Sequence, residues 1–153
     1  MRWAEIESVR CSVARTLSVV GDRWTLLILR EAFIGTRRFD EFRSRTGAAR
    51  HLVAERLNHL VDHGVMERRQ YSDRPPRHEY RLTAKGRDLY PVIVALMTWG
   101  DRWMDDGDGP PATLTHRACG TTATPALVCA GCGEPIDSRE MLTKPRATDA
   151  AVG

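Results

Sequence analysis

The sequence contains no run of about 18 apolar residues, so none of its segments is predicted to cross a membrane. Its opening stretch, MRWAEIESVRC, also lacks the apolar core of a secretory signal peptide, and we therefore expect a cytoplasmic protein. Three signatures of catalysis are missing as well: a glycine-rich phosphate loop, a nucleophile elbow, and a convergent set of histidines and carboxylates. These absences argue against an enzyme.

Cysteine is scarce in this chain. Only Cys11, Cys119, Cys129 and Cys132 occur among 153 residues. In a cytosolic protein, cysteines indicate metal ligands or redox-active thiols before they indicate structural disulfides. The four cysteines are therefore candidates for a metal site or a redox switch.

Charge is abundant but unevenly distributed. Charged residues make up 28% of the chain and apolar residues 42%, which is the range of a globular protein. Between residues 37 and 87 there are 13 Lys/Arg and 7 Asp/Glu, whereas residues 88–153 hold 5 and 9. The net charge of +3 thus hides a basic middle and an acidic end. A local basic excess is what contacts with nucleic-acid phosphates require.

The segment Ala48–Gly64 predicts an amphipathic helix. Val53, Leu57 and Leu60 recur at helical spacing and form one apolar stripe, while polar side chains occupy the other face. An isolated helix of this kind is most often a solvated surface helix. Here a second helical segment precedes it across a glycine turn, and two strands separated by an Arg/Pro turn follow it. This order favours a helix that enters the DNA major groove.

The predicted fold is mainly α-helical with a small β-hairpin wing, a winged helix-turn-helix. We predict helices over 12–19, 23–33, 39–46 and 48–64, strands over 65–71 and 78–82 about a turn at 72–77, and a last helix from Thr83 to about Met104. Pro91 is expected to kink or divide the last helix.

The last predicted helix carries more apolar side chains than one small chain has room to bury. They are Val92, Ile93, Met97, Trp99 and Trp103. Packing against the same helix of a second copy would bury them, so we expect a homodimer, with packing inside one chain as the alternative. A small aromatic effector near Trp24, Trp99 and Trp103 is a further hypothesis, although such tryptophans more often belong to an ordinary core.

Candidate DNA contacts lie on the helix 48–64, on the hairpin tip, and just before the segment 39–46. Arg50 and His51 begin the helix and are expected to lie deepest in the groove, where arginine pairs with guanine edges. The full set is Arg37, Arg38, Arg50, His51, Ala54, Glu55, Asn58, Arg74 and Arg77. An ordinary solvated loop is the alternative for the hairpin tip. Arg56, nearer the core, is expected to make an internal salt bridge or a phosphate contact.

Six motifs follow one another between residues 10 and 104. They are Cys11, GDRWTLLILRE from Gly21, RRFDEF from Arg37, RLNHLVDHGVMERRQY from Arg56, PPRHEYRLTAKGRDL from Pro75, and Trp99-Gly100. In this order they resemble the HxlR-type regulators, a branch of the winged-helix transcription factors close to the MarR type. The resemblance implies a dimer that binds an inverted repeat, with the N- and C-terminal helices at the dimer interface. One departure is Ala48-Ala49 in place of the family's Ile-Ser, and the missing serine cap costs about 1 kcal/mol unless another group replaces it.

The resemblance also implies a role for Cys11, just before the first helix. Several such regulators respond to quinones or oxidants through a cysteine at this place, so Cys11 is a candidate sensor of redox state or of an electrophilic effector. Arg10, Arg15 and the helix N-terminus favour its reactive thiolate form. An inert, buried cysteine is the alternative.

The tail sequence HRACGTTATPALVCAGCGE predicts a metal site. His116 and Cys119 are separated by two residues, as are Cys129 and Cys132, and each pair ends in Cys-Gly, which is typical of the tight turns that wrap Zn²⁺. Four such ligands suit a closed structural zinc site in a zinc-ribbon-like appendage. A disulfide between Cys129 and Cys132, or a metal-free remnant, are the alternatives.

The predicted organisation is a DNA-binding and dimerisation domain over 1–104, a linker over 105–113, a zinc-knuckle unit over 114–142 and a disordered tail over 143–153. The favoured function is a sequence-specific transcriptional regulator that binds double-stranded DNA. The alternative is a winged-helix adaptor for other proteins, or a small zinc protein without DNA binding. The basic excess lies on the predicted helix and wing and not on the tail, which favours the regulator.

Overall fold

The computed structural model describes residues 10–123 and 125–144, and the chain divides into two units, Met1–Met104 and Asp105–Gly153. The first nine residues of the predicted DNA-binding domain, and residues 145–153 of the predicted tail, lie outside the described residues. Within the described ranges, no helix is long and apolar enough to cross a membrane.

The described part of the first unit contains helices and one β-hairpin, in the order that the sequence predicts. The elements are α1 (Ser12–Val20), α2 (Arg23–Phe33), α3 (Phe39–Thr46), α4 (Arg50–Asp62), β1 (Met66–Asp73), β2 (Pro76–Leu82), α5 (Ala84–Arg87) and α6 (Tyr90–Trp103). The mainly helical winged helix-turn-helix is therefore confirmed, and the predicted bounds of α2 and α3 are correct to the residue.

Local side chains and glycines determine where these helices begin and end. The Asp22 carboxylate accepts the backbone N–H groups of Trp24 and Thr25 at 3.0 and 3.2 Å, so it satisfies two of the free donors at the start of α2. Gly47 takes a left-handed conformation with φ of 69° between α3 and α4. A residue without a Cβ adopts this conformation without strain, which makes a sharp turn between the two helices possible.

The core of the first unit forms where α2, α3 and α4 pack together. Its largest fully buried side chains include Ile28, Leu29 and Phe42, together with the apolar stripe of α4. Each residue of that stripe, Val53, Leu57 and Leu60, is 0% exposed. The spacing that predicts an amphipathic helix is thus confirmed, and the polar face of α4 is turned away from the core.

The hairpin differs from its prediction in length. The strands β1 and β2 pair antiparallel, and the pairing extends to Asp73 opposite Pro76. The predicted turn over 72–77 is therefore too long, because only Arg74 and Pro75 remain between the strands. Pro76 is tolerated because it is the first residue of its strand, where proline is commonly found.

The last predicted helix is divided, as expected from Pro91. The first piece, α5, is capped by Thr83, whose Oγ1 accepts the N–H of Gly86 at 3.1 Å. Pro91 stands in the first turn of α6, where its missing N–H removes no helical hydrogen bond. No residue of α6 is buried in the single chain, although this helix carries several large apolar side chains.

The second unit contains two short antiparallel pairings. β3 (Leu114–Thr115) pairs with β4 (Thr122–Ala123), and Val128 forms a bridge with Pro135. Each pairing flanks one of the two predicted metal-binding turns. None of the described residues between 105 and 144 is buried.

Candidate nucleic-acid interface

The helix α4, which we call the recognition helix, presents a polar face to solvent. Of the predicted base-contacting residues, Arg50, His51, Glu55 and Asn58 are exposed, and Ala54 is half-buried. All five lie on one helix whose other side is fixed in the core. The structure therefore provides a rigid row of hydrogen-bonding groups of the length that a major groove accepts.

Two contacts from the recognition helix fix its position against α1 and α2. The Nε of Arg56 lies 3.2 Å from Oδ1 of Asp22, so the predicted internal salt bridge is confirmed. One turn further on, the Nε2 of His59 lies 3.1 Å from the carbonyl oxygen of Val19, at the end of α1. The exposed side chains of His51 and Asn58 take no part in these contacts, whereas Oε1 of Glu55 lies 3.6 Å from Nη1 of Arg56.

The start of the recognition helix has no side-chain cap, as the pair Ala48-Ala49 predicts. Ala49 holds the cap position, while Ala48 is buried and donates its N–H to Oγ1 of Thr46 at 3.3 Å. The first N–H groups of the helix are therefore without a side-chain acceptor, and they carry the positive end of the helix dipole.

Arg50 is held loosely at this end of the helix. Its guanidinium lies 5.0 Å from the centre of the Phe39 ring and 3.8 Å from Oδ1 of Asp40. The side chains of Arg50 and Asp40 are 70% and 78% exposed, and ion pairs of that kind contribute little to stability. Arg50 is therefore free to exchange this partner for a base or a phosphate.

Residues 37 and 38 lie beside the wing. The carbonyl of Arg37 accepts the N–H of Tyr80 at 2.8 Å, and Arg38 forms a β-bridge with Glu79. The Arg38 guanidinium lies 5.2 Å from the centre of the Tyr71 ring. These contacts bring two arginines that precede α3 to the hairpin, although about 40 residues of chain separate them from Glu79 and Tyr80.

Six arginines between residues 37 and 82 form no ion pair with a carboxylate in the described part of the chain. They are Arg37, Arg38, Arg43, Arg68, Arg74 and Arg77. All six are exposed. By contrast, Arg69 and Arg81 are neutralised by Glu67 at 2.7 Å and by Glu79 at 2.6 Å. Within this segment, the unpaired positive charge thus lies on α3, on residues 37 and 38, and on the wing.

Arg43 and Arg68 were not among the predicted DNA contacts. Arg68 is exposed on β1, and its Nη2 lies 3.1 Å from Nδ1 of His78 on the paired strand. The sequence signal was the run ERRQ, in which Arg69 stands two residues from Glu67 on the same strand and pairs with it, whereas Arg68 lies opposite Tyr80 and has no such acid.

A buried carboxylate behind the interface was also not predicted. Glu31 is 3% exposed, and its oxygens lie 2.6 Å from Arg30, 3.3 Å from Thr36 and 3.8 Å from Arg45. Because Arg45 is on α3 and Glu31 is on α2, the pair links the two helices.

Glu41 supports the start of α3. Its Oε2 accepts the N–H groups of Arg38 and Arg37 at 3.2 and 3.5 Å. These two backbone hydrogen bonds hold the pKa of the Glu41 carboxyl below its ordinary value of 4.5. The carboxylate thus joins the N-terminus of α3 to the two arginines beside the wing.

Cys11 lies at the residue that precedes α1, and its side chain is exposed. Cys11 is therefore not buried, and its role as a sensor stays a prediction. Its carbonyl accepts the N–H of Arg15 at 3.0 Å in the first turn of the helix. The thiol is accessible to a reagent in solvent.

The tryptophans of α6 are not core residues. Trp99 and Trp103 are 59% and 64% exposed, whereas Trp24 is half-buried in a cleft of about 670 Å³ that Asp22 and Arg56 also line. The interpretation of Trp99 and Trp103 as ordinary core is therefore wrong within one chain.

The predicted metal ligands of the tail are brought together in pairs. Nδ1 of His116 lies 3.3 Å from Sγ of Cys119, and hydrogen bonds from Thr121 and then His116 lower the pKa of Cys119 to about 7. Backbone N–H groups of Gly131 and Cys132 lower the pKa of Cys129. Over residues 10–123 and 125–144, no three His, Cys, Asp or Glu side chains are grouped closely enough to hold one metal ion.

The first unit thus has the features of a winged helix-turn-helix DNA-binding protein: a fixed recognition helix, a hairpin wing and unpaired arginines around both. Residues 19–108 match the family model of the HxlR-like helix-turn-helix. The chain belongs to this family, which is one of transcriptional regulators.

Relatives and solved structures agree with this assignment. A Mycobacterium tuberculosis protein, Rv3095, described as an uncharacterised HTH-type transcriptional regulator, is 50% identical over 134 residues, which are 88% of this chain and 85% of the relative. The crystal structure of PA1607, described as a candidate transcription factor, is 37% identical with a TM-score of 0.84 and covers 93% of this chain and 99% of its own. The redox regulator HypR in its reduced form is 31% identical with a TM-score of 0.58, over 62% of this chain and 95% of HypR.

Proposed function

We propose that this protein regulates transcription by binding an inverted repeat in double-stranded DNA as a homodimer. Each recognition helix would enter the major groove of one half-site, and each wing would contact the adjacent backbone or minor groove. The observation that carries the proposal is the coincidence of an exposed polar helix face with six arginines of the segment 37–82 that no carboxylate neutralises.

The candidate contacts divide into two classes by their surroundings. Arg50, His51, Glu55 and Asn58 project from a rigid helix and have the donors and acceptors that distinguish base edges. The arginines beside and on the wing, Arg37, Arg38, Arg68, Arg74 and Arg77, are suited to phosphates or to a narrow minor groove. Phosphate contacts would supply affinity, and the helix would supply sequence preference.

The anchoring of the recognition helix supports this division of work. Arg56 and His59 hold the helix to α2 and α1 through contacts on its inner side. A helix that is fixed before binding loses less conformational entropy when it docks. This arrangement favours a surface that reads DNA over one that reshapes itself around a protein partner.

The apolar surface of α1 and α6 supports the dimer. Leu17 on α1 and Leu96 on α6 line a groove of about 360 Å³ and are 44% and 50% exposed. Trp99 and Trp103 continue the exposed apolar surface along α6. A continuous patch of this kind is unusual on a soluble monomer, and a twofold axis would cover it with the same patch of a second copy.

The decisive experiment is selection of bound duplexes from a random library, followed by binding measurements at several salt concentrations. We expect an inverted repeat with half-sites separated by about one helical turn of 10 base pairs, and an affinity that falls steeply as salt rises. Equal binding of selected and random duplexes at moderate salt would overturn the proposal in favour of an adaptor or a non-specific binder.

Redox responsiveness is a second proposal, supported by the likeness to HypR and by the exposure of Cys11. A thiol oxidant such as diamide removes two electrons and two protons from two thiols and becomes the hydrazine. Since Cys11 is the one cysteine of residues 1–104, its disulfide partner would be Cys11 of a second copy, a cysteine of the tail or a small-molecule thiol.

The test compares Cys11→Ser with the wild-type protein, each with and without diamide. We expect equal DNA affinity before treatment and a change after treatment in the wild type alone. If both proteins lose DNA binding to the same extent, Cys11 is not the sensor and the oxidised thiols are those of the tail.

A further inference from the structure

We propose that the second unit binds one structural Zn²⁺ through His116, Cys119, Cys129 and Cys132. The proposal concerns residues that lie beyond the family match, which ends at residue 108, and it is independent of DNA binding. It rests on the backbone geometry of two turns, on one distance between ligand atoms, and on the lack of a core in this unit. In the described residues no three ligand side chains are grouped closely enough to hold one ion, so zinc binding would bring the two ligand pairs together.

The two ligand pairs lie on turns with the same hydrogen-bond pattern. In the first turn, the N–H of His116 donates to the carbonyl of Thr121 at 2.9 Å, and the N–H of Gly120 donates to the carbonyl of His116 at 2.8 Å. The second turn repeats both bonds.

In the second turn, the N–H of Cys129 donates to the carbonyl of Glu134 at 2.8 Å, and the N–H of Gly133 donates to the carbonyl of Cys129 at 2.8 Å. Gly120 and Gly133 occupy equivalent places and both have a left-handed φ, of 70° and 79°. In the first turn this backbone accompanies a close approach of the first and fourth side chains, His116 and Cys119.

The separation of the first two ligand atoms agrees with tetrahedral zinc. With Zn–S and Zn–N bonds of about 2.3 and 2.0–2.1 Å, a tetrahedral site places its sulfur and nitrogen ligands about 3.6 Å apart. Nδ1 of His116 and Sγ of Cys119 are 3.3 Å apart. Oγ1 of Thr121 lies 2.9 Å from the same sulfur, a contact of the type that orients metal-bound thiolates.

The second unit has no hydrophobic core that would hold the two turns together. Every described residue from 105 to 144 is exposed or half-buried, and Leu127, Val128 and Ile136 are 64%, 51% and 45% exposed. Units of about 40 residues or fewer usually need a disulfide, a metal or a partner to fold. The four cysteines of the chain are free thiols, which leaves a metal as the link that these residues themselves offer.

The chemistry of the donor set selects zinc and a structural role. Three thiolates and one imidazole are soft ligands that prefer a tetrahedral ion, and binding would displace the three thiol protons to solvent. No coordination position remains for water, so the site would stabilise the unit and would not catalyse a reaction.

The test is metal analysis of the full-length protein purified without a metal-binding tag. We expect about one zinc ion per chain in the wild type and in the control Cys11→Ser, and a loss of it in Cys129→Ser/Cys132→Ser. Replacement of zinc by Co²⁺ is expected to give the visible bands of tetrahedral cobalt and a thiolate-to-cobalt charge-transfer band, both absent in the double variant.

Two results would overturn the proposal. One is a reduced wild-type protein that takes up neither Zn²⁺ nor Co²⁺. The other is a Cys129–Cys132 disulfide in peptide maps of protein isolated under conditions that block thiol exchange.

If the double variant does not fold, the wild-type protein is titrated with a chelator instead. Release of zinc together with loss of structure in residues 114–136 supports the site. DNA affinity is measured separately, so failure here leaves the proposed function untouched.

Discussion

Arg56 of the recognition helix places its Nε 3.2 Å from Oδ1 of Asp22, the side chain that caps α2. One carboxylate therefore serves two elements that are distant in the sequence: it satisfies the first N–H groups of a core helix, and it faces the cation that holds the recognition helix. The orientation of the DNA-binding surface is in this way tied to the start of the central helix of the core.

Replacement of Asp22 separates these two roles. Asp22→Ala removes the cap and the charge, and we expect it to lower the free energy of unfolding by about 1–2 kcal/mol. Asp22→Asn keeps a capping oxygen but removes the charge facing Arg56, so we expect a smaller loss of stability with a weakened DNA affinity. Urea denaturation and DNA titration measure the two effects, and equal stability of Asp22→Ala and the wild type would contradict the assignment of the cap.

DNA binding is expected to respond differently to two arginines. Arg50→Ala should reduce discrimination at one base pair of each half-site by about 1–3 kcal/mol, because a guanine contact would be lost. Arg74→Ala should lower the affinity for all duplexes alike, because a phosphate contact would be lost. It should also reduce the slope of log affinity against log salt concentration by about 1.

The control for both is Arg139→Ala, which removes one positive charge from the second unit, where Arg139 is paired with Asp137 at 2.6 Å. We expect this variant to bind selected duplexes like the wild type. An equal loss of affinity in all three variants would mean that net charge, and not position, governs binding.

The elements that could be predicted from the sequence are those with local signals. The bounds of α2 and α3 follow from Asp22, from Gly47 and from apolar spacing, all of which act within one or two turns of helix. The exposed face of the recognition helix follows from the same spacing. The order of the motifs, which resembles that of the family, then predicts that a hairpin wing follows these helices.

The features that could not be predicted depend on contacts between distant segments. Burial of Glu31 requires Arg30, Thr36 and Arg45 to converge on it, and no local pattern indicates this. The extra length of the hairpin depends on cross-strand pairing up to Asp73, which overrides the turn-forming composition of residues 72–77.

The proposed dimer predicts a specific effect of charge on α6. Leu96→Glu would place a carboxylate in the apolar surface that the second copy is expected to cover, so we expect a monomer with weakened binding to the inverted repeat. Ser44→Glu, on the exposed side of α3, is the control for oligomeric state and should remain dimeric. Analytical ultracentrifugation at micromolar concentration measures the oligomeric state of each protein. A wild-type protein that sediments as a monomer would contradict the proposed dimer.

Glu41 predicts a pH-dependent contribution to stability. Its pKa in the folded protein is below the ordinary 4.5, because Arg38 and Arg37 donate backbone hydrogen bonds to the carboxylate. The folded state is therefore favoured by this group above the unfolded pKa, and the contribution is lost as the pH falls through the folded pKa. Glu41→Gln keeps the acceptor oxygen without the titration. We expect the wild type to be the more stable at neutral pH and the difference to shrink in acid, as measured by melting temperature.

The approach of α5 to the start of the wing depends on a glycine. A Cβ at Gly86 would lie 2.1 Å from the carbonyl oxygen of Val65, which itself accepts the N–H of Thr83 at 3.1 Å. Gly86→Ala must move backbone against backbone, so we expect a loss of about 1–3 kcal/mol in the free energy of unfolding. Gly100→Ala is the matched control, since a Cβ there meets no atom within 4 Å and alanine in a helix is favoured over glycine by up to about 1 kcal/mol. Both substitutions are best made in the Leu96→Glu variant, because a dimer contact at Gly100 would then no longer contribute to stability. If Gly86→Ala is as stable as its parent protein, α5 does not approach Val65 this closely.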